Sequence, residues 1–375
     1  MTTAIASPSR LTPGTISQST PVRHTSGRWI LHPVIDLTFC CGGLLFLLMA
    51  VHYLVAPGAF QSGPSIVEPF PLLGLLGTIL LADTHNMATL VQLYWNRERR
   101  NRLWFVSYAG AACCIGLGIS ALLSPAVAAA AARLYLVFIV QHVIAQTYGL
   151  VLLYCEKRDY RFSSTEKSTL RLFMQSLTVY AILRQFADPV KFRASFFGNR
   201  LPTWGPIPPE VLQIAHAAFI VLLFAFAIVI AKKALREKSY LPLPACMLVA
   251  AVLLVAFLGG QASGVLSLYI PAFFHGSQYL VVCAAAHLRG HGICFPETAN
   301  LVGLLANSAL REYWMNLVIL AIAIFALLPQ CIALLGITFP VAFFAVFVTV
   351  NFHHFLADAF LWKLRDPAVR RLVLT

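Results

Sequence analysis

The 375-residue chain contains 59% hydrophobic and only 11% charged residues, a composition that excludes an ordinary soluble protein and is typical of an integral membrane protein. Its net charge of +13 does not indicate a nucleic-acid partner, because the basic residues of a membrane protein gather in its cytoplasmic loops. The sequence has no Gly-rich phosphate loop, Walker motif or HExxH motif, so we do not expect a nucleotide-driven pump.

The first 28 residues are rich in Ser, Thr and Pro with scattered Arg, and this composition predicts a disordered cytoplasmic tail. They contain no apolar stretch beside the basic residues, so we do not expect a cleavable signal peptide. We interpret residues 29–365 as a single transmembrane helical domain and residues 366–375 as a cytoplasmic C-terminal tail.

Ten apolar runs follow the N-terminal tail, and each is close to the roughly 20 residues that a helix needs to cross a bilayer. The fifth run is the least apolar, since it carries Arg171 and Gln175. The pattern predicts an all-α, polytopic integral membrane helix bundle. Its transmembrane helices, about ten in number, are predicted at 34–56, 70–95, 103–124, 127–154, 168–187, 210–231, 241–259, 263–287, 313–333 and 337–362.

The basic segments indicate how the bundle is oriented. Residues 96–102, 156–161 and 232–238 hold much of the Lys and Arg between the spans, and with ten spans all three segments lie on the side of the N terminus. By the positive-inside rule, both termini are then cytoplasmic. The connection 188–209 falls on the opposite side, where its aromatic residues and prolines predict a segment that lies on the membrane as a lid.

Histidines occur at a common depth in four of the predicted spans. His85, His142 and His275 lie in the second, fourth and eighth spans, and the pair His353 and His354 lies in the tenth. Each is about 9–14 residues from the basic end of its span, or roughly 14–21 Å at 1.5 Å per residue. Because ionisable residues are costly in a bilayer, they indicate a functional site. We predict one buried metal site with these five histidines as candidate ligands.

The choice of metal and of ligands follows from the residue types. Adjacent residues of a helix point about 100° apart, so we assign the direct ligand of the pair to His353. His354, Asp358 and Tyr279 are then the candidate catalytic residues that tune or complete the site, whereas Trp362 lies near the interface, outside it. Histidine and carboxylate without thiolate favour Fe(II), with another divalent metal as the alternative. No organic cofactor is predicted.

Other polar residues flank the histidines in the sequence. We expect them to orient the imidazole rings through hydrogen bonds, as metal-binding histidines usually require. Where they are spaced by three or four positions, they share a helix face with a histidine. These candidate partners are Asp83, Gln141, Gln146 and Gln278.

Aromatic residues also flank the candidate ligands. They predict an apolar tunnel for a lipophilic substrate, with the metal at one wall; for each ring, packing between helices is the alternative. The four candidates for the lining are Phe273, Phe274, Phe352 and Phe355.

Several functions remain open on these residues alone. A membrane non-haem iron oxygenase or oxidase would use the histidines as ligands, whereas a proton- or ion-coupled transporter would use the buried His and Asp residues as a relay. Broken helices and inverted repeats would favour the transporter. A haem-binding electron carrier would use two histidines as axial ligands, which leaves the others unexplained. A single histidine can also be a hydrogen-bonding contact between helices.

The order and local form of these motifs resemble the Brp/Blh-type bacterial and archaeal beta-carotene dioxygenases. In this resemblance His85, His142 and His275 correspond to the family's first three histidine motifs, and His353 with the later Asp358 corresponds to the last. The chain departs from the family at Tyr279, where the third motif has a second histidine. It also lacks the glycine-histidine pattern around the first motif, and it has more predicted spans.

The resemblance implies a multi-pass protein of the bacterial inner membrane that uses histidine-ligated non-haem iron to cleave a carotenoid. From it and from the residues we expect an oxidoreductase, dioxygenase-like, acting on a carotenoid- or lipid-like molecule. Membrane lipids and the lipophilic substrate are the expected partners, no nucleic acid is expected, and an electron donor is left open. Fatty-acid desaturases are a related alternative, but their HxxxH and HxxHH clusters are absent from this sequence.

Overall fold

A computed structural model describes residues 27–55, 76–187, 195–196, 199–202, 207–258, 266–293, 300–363 and 366–374. Over these residues the chain is helical apart from one short hairpin, β1 (Ser195–Phe196) and β2 (Asn199–Arg200). The helices are α1 (Pro33–Cys40), α2 (Gly43–Val55), α3 (Thr84–Tyr94), α4 (Arg97–Arg102), α5 (Phe105–Leu123), α6 (Pro125–Lys157), α7 (Ser164–Ala187), α8 (Pro209–Glu237), α9 (Leu243–Leu258), α10 (Leu266–Gly290), α11 (Leu301–Leu305), α12 (Ser308–Ala333), α13 (Phe339–Leu361) and α14 (Pro367–Leu374).

The all-helical, membrane-type architecture predicted from composition is confirmed. Five helices of the described chain, α5, α6, α8, α12 and α13, are long and apolar enough to cross a membrane, and α1 with α2 makes up to six if that bent pair is one span. Each of the ten predicted ranges contains a helix. The number of ten spans and the cytoplasmic termini stay predictions.

The first apolar run is broken in the middle, which its composition did not predict. Helices α1 and α2 meet at an angle of 58°. Gly42 lies at the break with φ of +89°, a conformation that glycine adopts without steric cost. The break leaves the carbonyl of Cys40 at the end of α1 available to neighbouring side chains.

Two close helix approaches position the interior of the bundle. Gly118 of α5 faces α13, where an added Cβ would collide with Thr349 and lie 3.0 Å from the carbonyl oxygen of Ala345. Gly276 of α10 faces the π turn Thr78–Asp83 that precedes α3, where a Cβ would collide with the carbonyl of Leu81. Small residues allow such approaches between membrane helices. They bring α5 against α13, and α10 against the π turn that leads into α3.

The N-terminal and C-terminal ends of the described chain meet at one end of the bundle. Asp36 of α1 accepts hydrogen bonds from Ile30 N at 2.6 Å and from Tyr154 Oη of α6 at 2.8 Å. Residues predicted as a C-terminal tail form α14, whose Val369 and Val373 are buried. Helix α14 therefore packs on the bundle. Residues 1–26 of the predicted N-terminal tail, and most of the predicted lid 188–209, lie outside the described residues.

Candidate metal centre

Four imidazole rings from four helices meet in the interior of the bundle. His85 of α3 and His142 of α6 each lie within 4.9 Å of both His275 of α10 and His354 of α13, measured between ring centroids. His85, His275 and His354 are buried, and His142 keeps only 11% of its side-chain exposure. The structure thus brings together four of the histidines that the sequence analysis singled out.

The nitrogen atoms of this cluster are spaced like ligands of one ion. His354 Nε2 lies 3.1 Å from His142 Nε2 and 3.4 Å from His275 Nε2. Two nitrogens bound to one ion at about 2.1 Å, with an angle of about 90–109° between them, are about 3.0–3.4 Å apart. Donor atoms of His85, His275 and His354 also lie within 4.8 Å of one another. The residues therefore fit a metal ion with imidazole ligands.

Asp358 adds a carboxylate to the cluster. Its Oδ2 lies 3.6 Å from His142 Nε2 and 3.7 Å from His354 Nε2, while its Oδ1 accepts a hydrogen bond of 2.6 Å from Tyr279 Oη. The i,i+4 spacing from His354 on α13 places both side chains on one helix face. Oδ1 is held by Tyr279, and Oδ2 faces the imidazoles.

When Asp358 is ionised and can only accept hydrogen bonds, a chain of hydrogen bonds sets which nitrogen of His354 carries its proton. Trp362 Nε1, which can only donate, donates to Tyr279 Oη at 2.9 Å. Tyr279 gives its own proton to Asp358, so Thr89 Oγ1 donates its single proton to Tyr279 Oη at 2.7 Å. Thr89 Oγ1 is then the acceptor for His354 Nδ1, 2.7 Å away. His354 therefore carries its proton on Nδ1 and presents the Nε2 lone pair to the cluster.

Gln146 and Gln278 connect the helices around the cluster. Gln146 Nε2 donates to His275 O at 3.1 Å and to Gln278 Oε1 at 3.0 Å, and Gln278 Nε2 donates to Cys40 O at 3.0 Å. The two glutamines lie where the sequence analysis expected them. However, they hold the backbone of α10 and of the α1–α2 break, and not an imidazole nitrogen.

His353 lies outside the cluster, although it neighbours His354 in the chain. Its Nε2 is 3.2 Å from Tyr94 Oη, and the two rings stack with centroids 5.8 Å apart. Tyr94 donates its proton to Ser107 O at 2.7 Å, so His353 is the donor to Tyr94. The rotation of α13 about its axis turns His354 inward. The sequence analysis assigned the ligand position to His353, whereas the residue of the pair that joins the cluster is His354.

Two of the predicted hydrogen-bond partners lie apart from the cluster. Gln141 is exposed on the outer face of α6, because one residue along a helix is a rotation of about 100°. Asp83 ends the π turn before α3 and is buried. Within the described residues, no hydrogen bond or ion pair joins Asp83 to the histidines.

Two of the predicted substrate-lining phenylalanines form an apolar wall beside the cluster. The ring centroid of Phe355 lies 4.8 Å from that of His142 and 5.8 Å from that of Tyr135. Phe352 lies next to Phe355 and contacts Phe138 of α6 with a centroid distance of 5.8 Å. These rings cover the side of the cluster between α6 and α13.

The other two phenylalanines pack between helices. Phe274 is buried in an apolar group with Leu45, Met49 and Val143, and the ring of Phe273 packs where an added Cβ on Gly77 would lie. The continuous tunnel expected from all four phenylalanines therefore stays a prediction.

Thr89 and Trp362 were not recognised as part of the site from the sequence, and Trp362 was placed outside it. Thr89 follows His85 by four residues, and Trp362 follows Asp358 by four. The i,i+4 rule that selected Gln146 and Asp358 thus points to both residues.

Comparisons of the chain with protein-family models, with curated proteins and with solved structures found no match. The resemblance to the carotene dioxygenases continues to rest on the four histidine motifs.

Proposed function

We propose that the chain is a membrane-embedded oxidoreductase, a histidine-ligated non-haem iron oxygenase or oxidase that acts on a lipophilic, carotenoid- or lipid-like substrate. One observation carries this proposal: imidazoles from four separate helices converge with one carboxylate in an apolar interior. An isolated helix-contact histidine needs one partner. Two groups of three donor atoms, each within 4.8 Å and both containing His354, are better explained by a bound ion.

The donor set favours iron. His85, His142, His275 and His354 would hold the ion, and Asp358 would complete or adjust its surroundings. The two groups of donor atoms within 4.8 Å contain no cysteine, and nitrogen with carboxylate oxygen suits non-haem iron. Iron with an open coordination position supplies dioxygen activation.

The surrounding residues would orient the ligands and the substrate. Thr89 fixes the tautomer of His354, and Tyr279 holds Oδ1 of Asp358 while its hydroxyl proton lies in the short hydrogen bond between them. Phe352 and Phe355 present apolar surface beside His142. A hydrophobic substrate placed against this wall would be kept out of water and next to the imidazoles.

The proposal includes a remote relationship to the Brp/Blh-type dioxygenases. Tyr279 stands where that family has its second histidine of the third motif. Here the phenol is bonded to Asp358 and Thr89, and a cluster of four imidazoles is complete without it. A substrate other than beta-carotene would be consistent with this difference.

Metal analysis and an absorption spectrum of the purified protein test the proposal. We expect stoichiometric iron, no Soret band, and consumption of dioxygen when carotenoids or unsaturated lipids are added in detergent. A Soret band would indicate haem instead, and protein that folds without any stoichiometric metal would contradict the proposal.

A transporter is the second candidate, because one observation favours it. Helices α1 and α2 form a broken pair, and broken helices line the substrate sites of many transporters. The Cys40 carbonyl at this break is bonded to Gln278, which lies in the network beside His275. Proton-driven uptake by reconstituted vesicles, lost in Asp358→Asn and independent of metal, would favour the transporter over the oxygenase.

A further inference from the structure

A cavity opens at one end of the bundle, far from the histidine cluster. Its volume is about 340 Å³, and its lining consists of Arg28, Lys157, Arg158, Asp159 and Pro242. Along α6, Lys157 is 15 residues beyond His142, which corresponds to about 22 Å at 1.5 Å per residue. Three cationic side chains against one carboxylate leave two positive charges in excess on the wall.

Lys157 has a structural role at the cavity. Its Nζ donates to Gly27 O at 3.1 Å and to Leu374 O at 3.0 Å. It thereby joins the end of α6 to the segment before α1 and to the end of α14. The cavity wall is therefore built from segments that are held together.

Arg158 presents an edge that lacks a partner. Its guanidinium lies over the ring of Trp29, with Cζ 4.1 Å from the centroid. Its Nε and Nη2 are buried, and neither has a hydrogen-bond partner among the described residues. These two nitrogens form the guanidinium edge that binds an oxyanion through two parallel hydrogen bonds. Buried donors without acceptors are costly, so this edge indicates an acceptor that does not belong to the described chain.

We infer that this cavity binds the phosphate group of an anionic ligand, and that the Arg158 guanidinium, whose Nε and Nη2 are buried in the unliganded protein, turns from Trp29 towards the cavity to supply a bidentate contact. The excess of two positive charges favours an anion over a neutral molecule. Asp159 lies on the same wall and is exposed, so it would accept a hydrogen bond from a hydroxyl or ammonium group beside the phosphate. A phosphodiester with such a neighbouring group fits both parts of the wall.

Two sources can supply this chemistry, an anionic phospholipid of the adjacent leaflet or a small soluble phosphate. Basic pockets at the cytoplasmic membrane surface bind anionic headgroups, and Trp29 is of the residue type enriched at that depth. A ligand from either source would make the same contact between its phosphate group and Arg158.

The full chain is reconstituted in phosphatidylcholine nanodiscs, with or without phosphatidylglycerol, and the phosphatidylcholine discs are also treated with inorganic phosphate. Bound lipid is measured by native mass spectrometry, and the thermal unfolding midpoint is recorded. We expect the wild type to retain phosphatidylglycerol in preference to phosphatidylcholine, or to be stabilised by inorganic phosphate. Because hydrogen bonds to charged groups contribute about 1.5–3 kcal/mol, Arg158→Gln should weaken this binding by at least about tenfold.

Two further variants make the result specific. Arg158→Lys keeps the charge but lacks the bidentate edge, so it should also weaken binding, and it replaces Arg158→Gln if that variant does not fold. Lys232→Gln removes an exposed charge from α8 that does not line the cavity and should behave like wild type. Retained phosphatidylglycerol identifies a lipid source, and stabilisation by phosphate alone identifies a soluble one. No preference in either arm, or equal losses in Lys232→Gln and Arg158→Gln, would overturn the inference.

Discussion

Thr89 Oγ1 lies 2.7 Å from His354 Nδ1 and 2.7 Å from Tyr279 Oη. One hydroxyl therefore joins an imidazole of the candidate centre to the residue that holds Asp358. Thr89 has a single hydroxyl proton. Because it donates this proton to Tyr279, it must accept from His354 Nδ1, and this sets the tautomer of His354. Thr89 therefore acts on the candidate centre through His354 and Tyr279.

Thr89→Val should weaken metal binding. Valine has the same shape but cannot accept from His354 Nδ1, so the imidazole loses the bond that keeps Nε2 deprotonated and oriented. Losses of such partners typically reduce metal affinity by about 10–100-fold, and a competition titration with a chelator measures this. Thr89→Ser keeps the hydroxyl and should restore affinity. If Thr89→Ser is as weak as Thr89→Val, shape and not the hydrogen bond is responsible.

Tyr279→Phe should affect the site more strongly than Trp362→Phe. The first substitution removes the hydroxyl that donates to Asp358 and accepts from Thr89. The second removes only the Nε1 donor to that hydroxyl, a neutral bond that contributes about 1 kcal/mol. Metal affinity and turnover should fall more in Tyr279→Phe than in Trp362→Phe. Equal effects, or a larger effect of Trp362→Phe, would contradict the donor and acceptor roles assigned to these hydrogen bonds.

Gly276→Ala should disturb the cluster through the backbone. The added Cβ would collide with the carbonyl of Leu81 and lie 3.3 Å from His85 Nδ1, so α10 and the π turn must separate. Overpacking typically costs about 1–3 kcal/mol, and we expect a lower thermal midpoint together with reduced metal occupancy. Gly149→Ala on α6, where a Cβ meets nothing within 4 Å, is the matched control and should be neutral or stabilising. A Gly276→Ala protein with normal occupancy would show that this approach does not position His85.

The sequence was informative about helices and about which histidines share a depth. Hydrophobic length located all ten helical ranges, and the common distance of His85, His142 and His275 from basic ends predicted their meeting. The i,i+4 rule placed Asp358 beside His354. These features depend on local chain geometry, so they can be deduced without tertiary contacts.

Rotation about a helix axis could not be deduced in the same way. The orientation of α13, which turns His354 inward and His353 towards Tyr94, depends on its packing against Gly118 of α5. The apolar run containing α1 and α2 gave no sign of the break, because Gly42 adopts its left-handed conformation between equally apolar neighbours. Gln141 was misplaced for the same reason as His353: both sit one position from a residue that faces the interior.

The adjacent pair His353 and His354 gives the most direct test of the proposed centre. Each is replaced by alanine in the full chain, and bound iron is counted per folded protein after size-exclusion chromatography. His354→Ala should lose the bound metal and all turnover, because it removes the nitrogen that lies 3.1 Å from His142 Nε2 and 3.4 Å from His275 Nε2. His353→Ala should keep the metal at the wild-type level. Full metal occupancy in His354→Ala, or its loss only in His353→Ala, would contradict the centre described here.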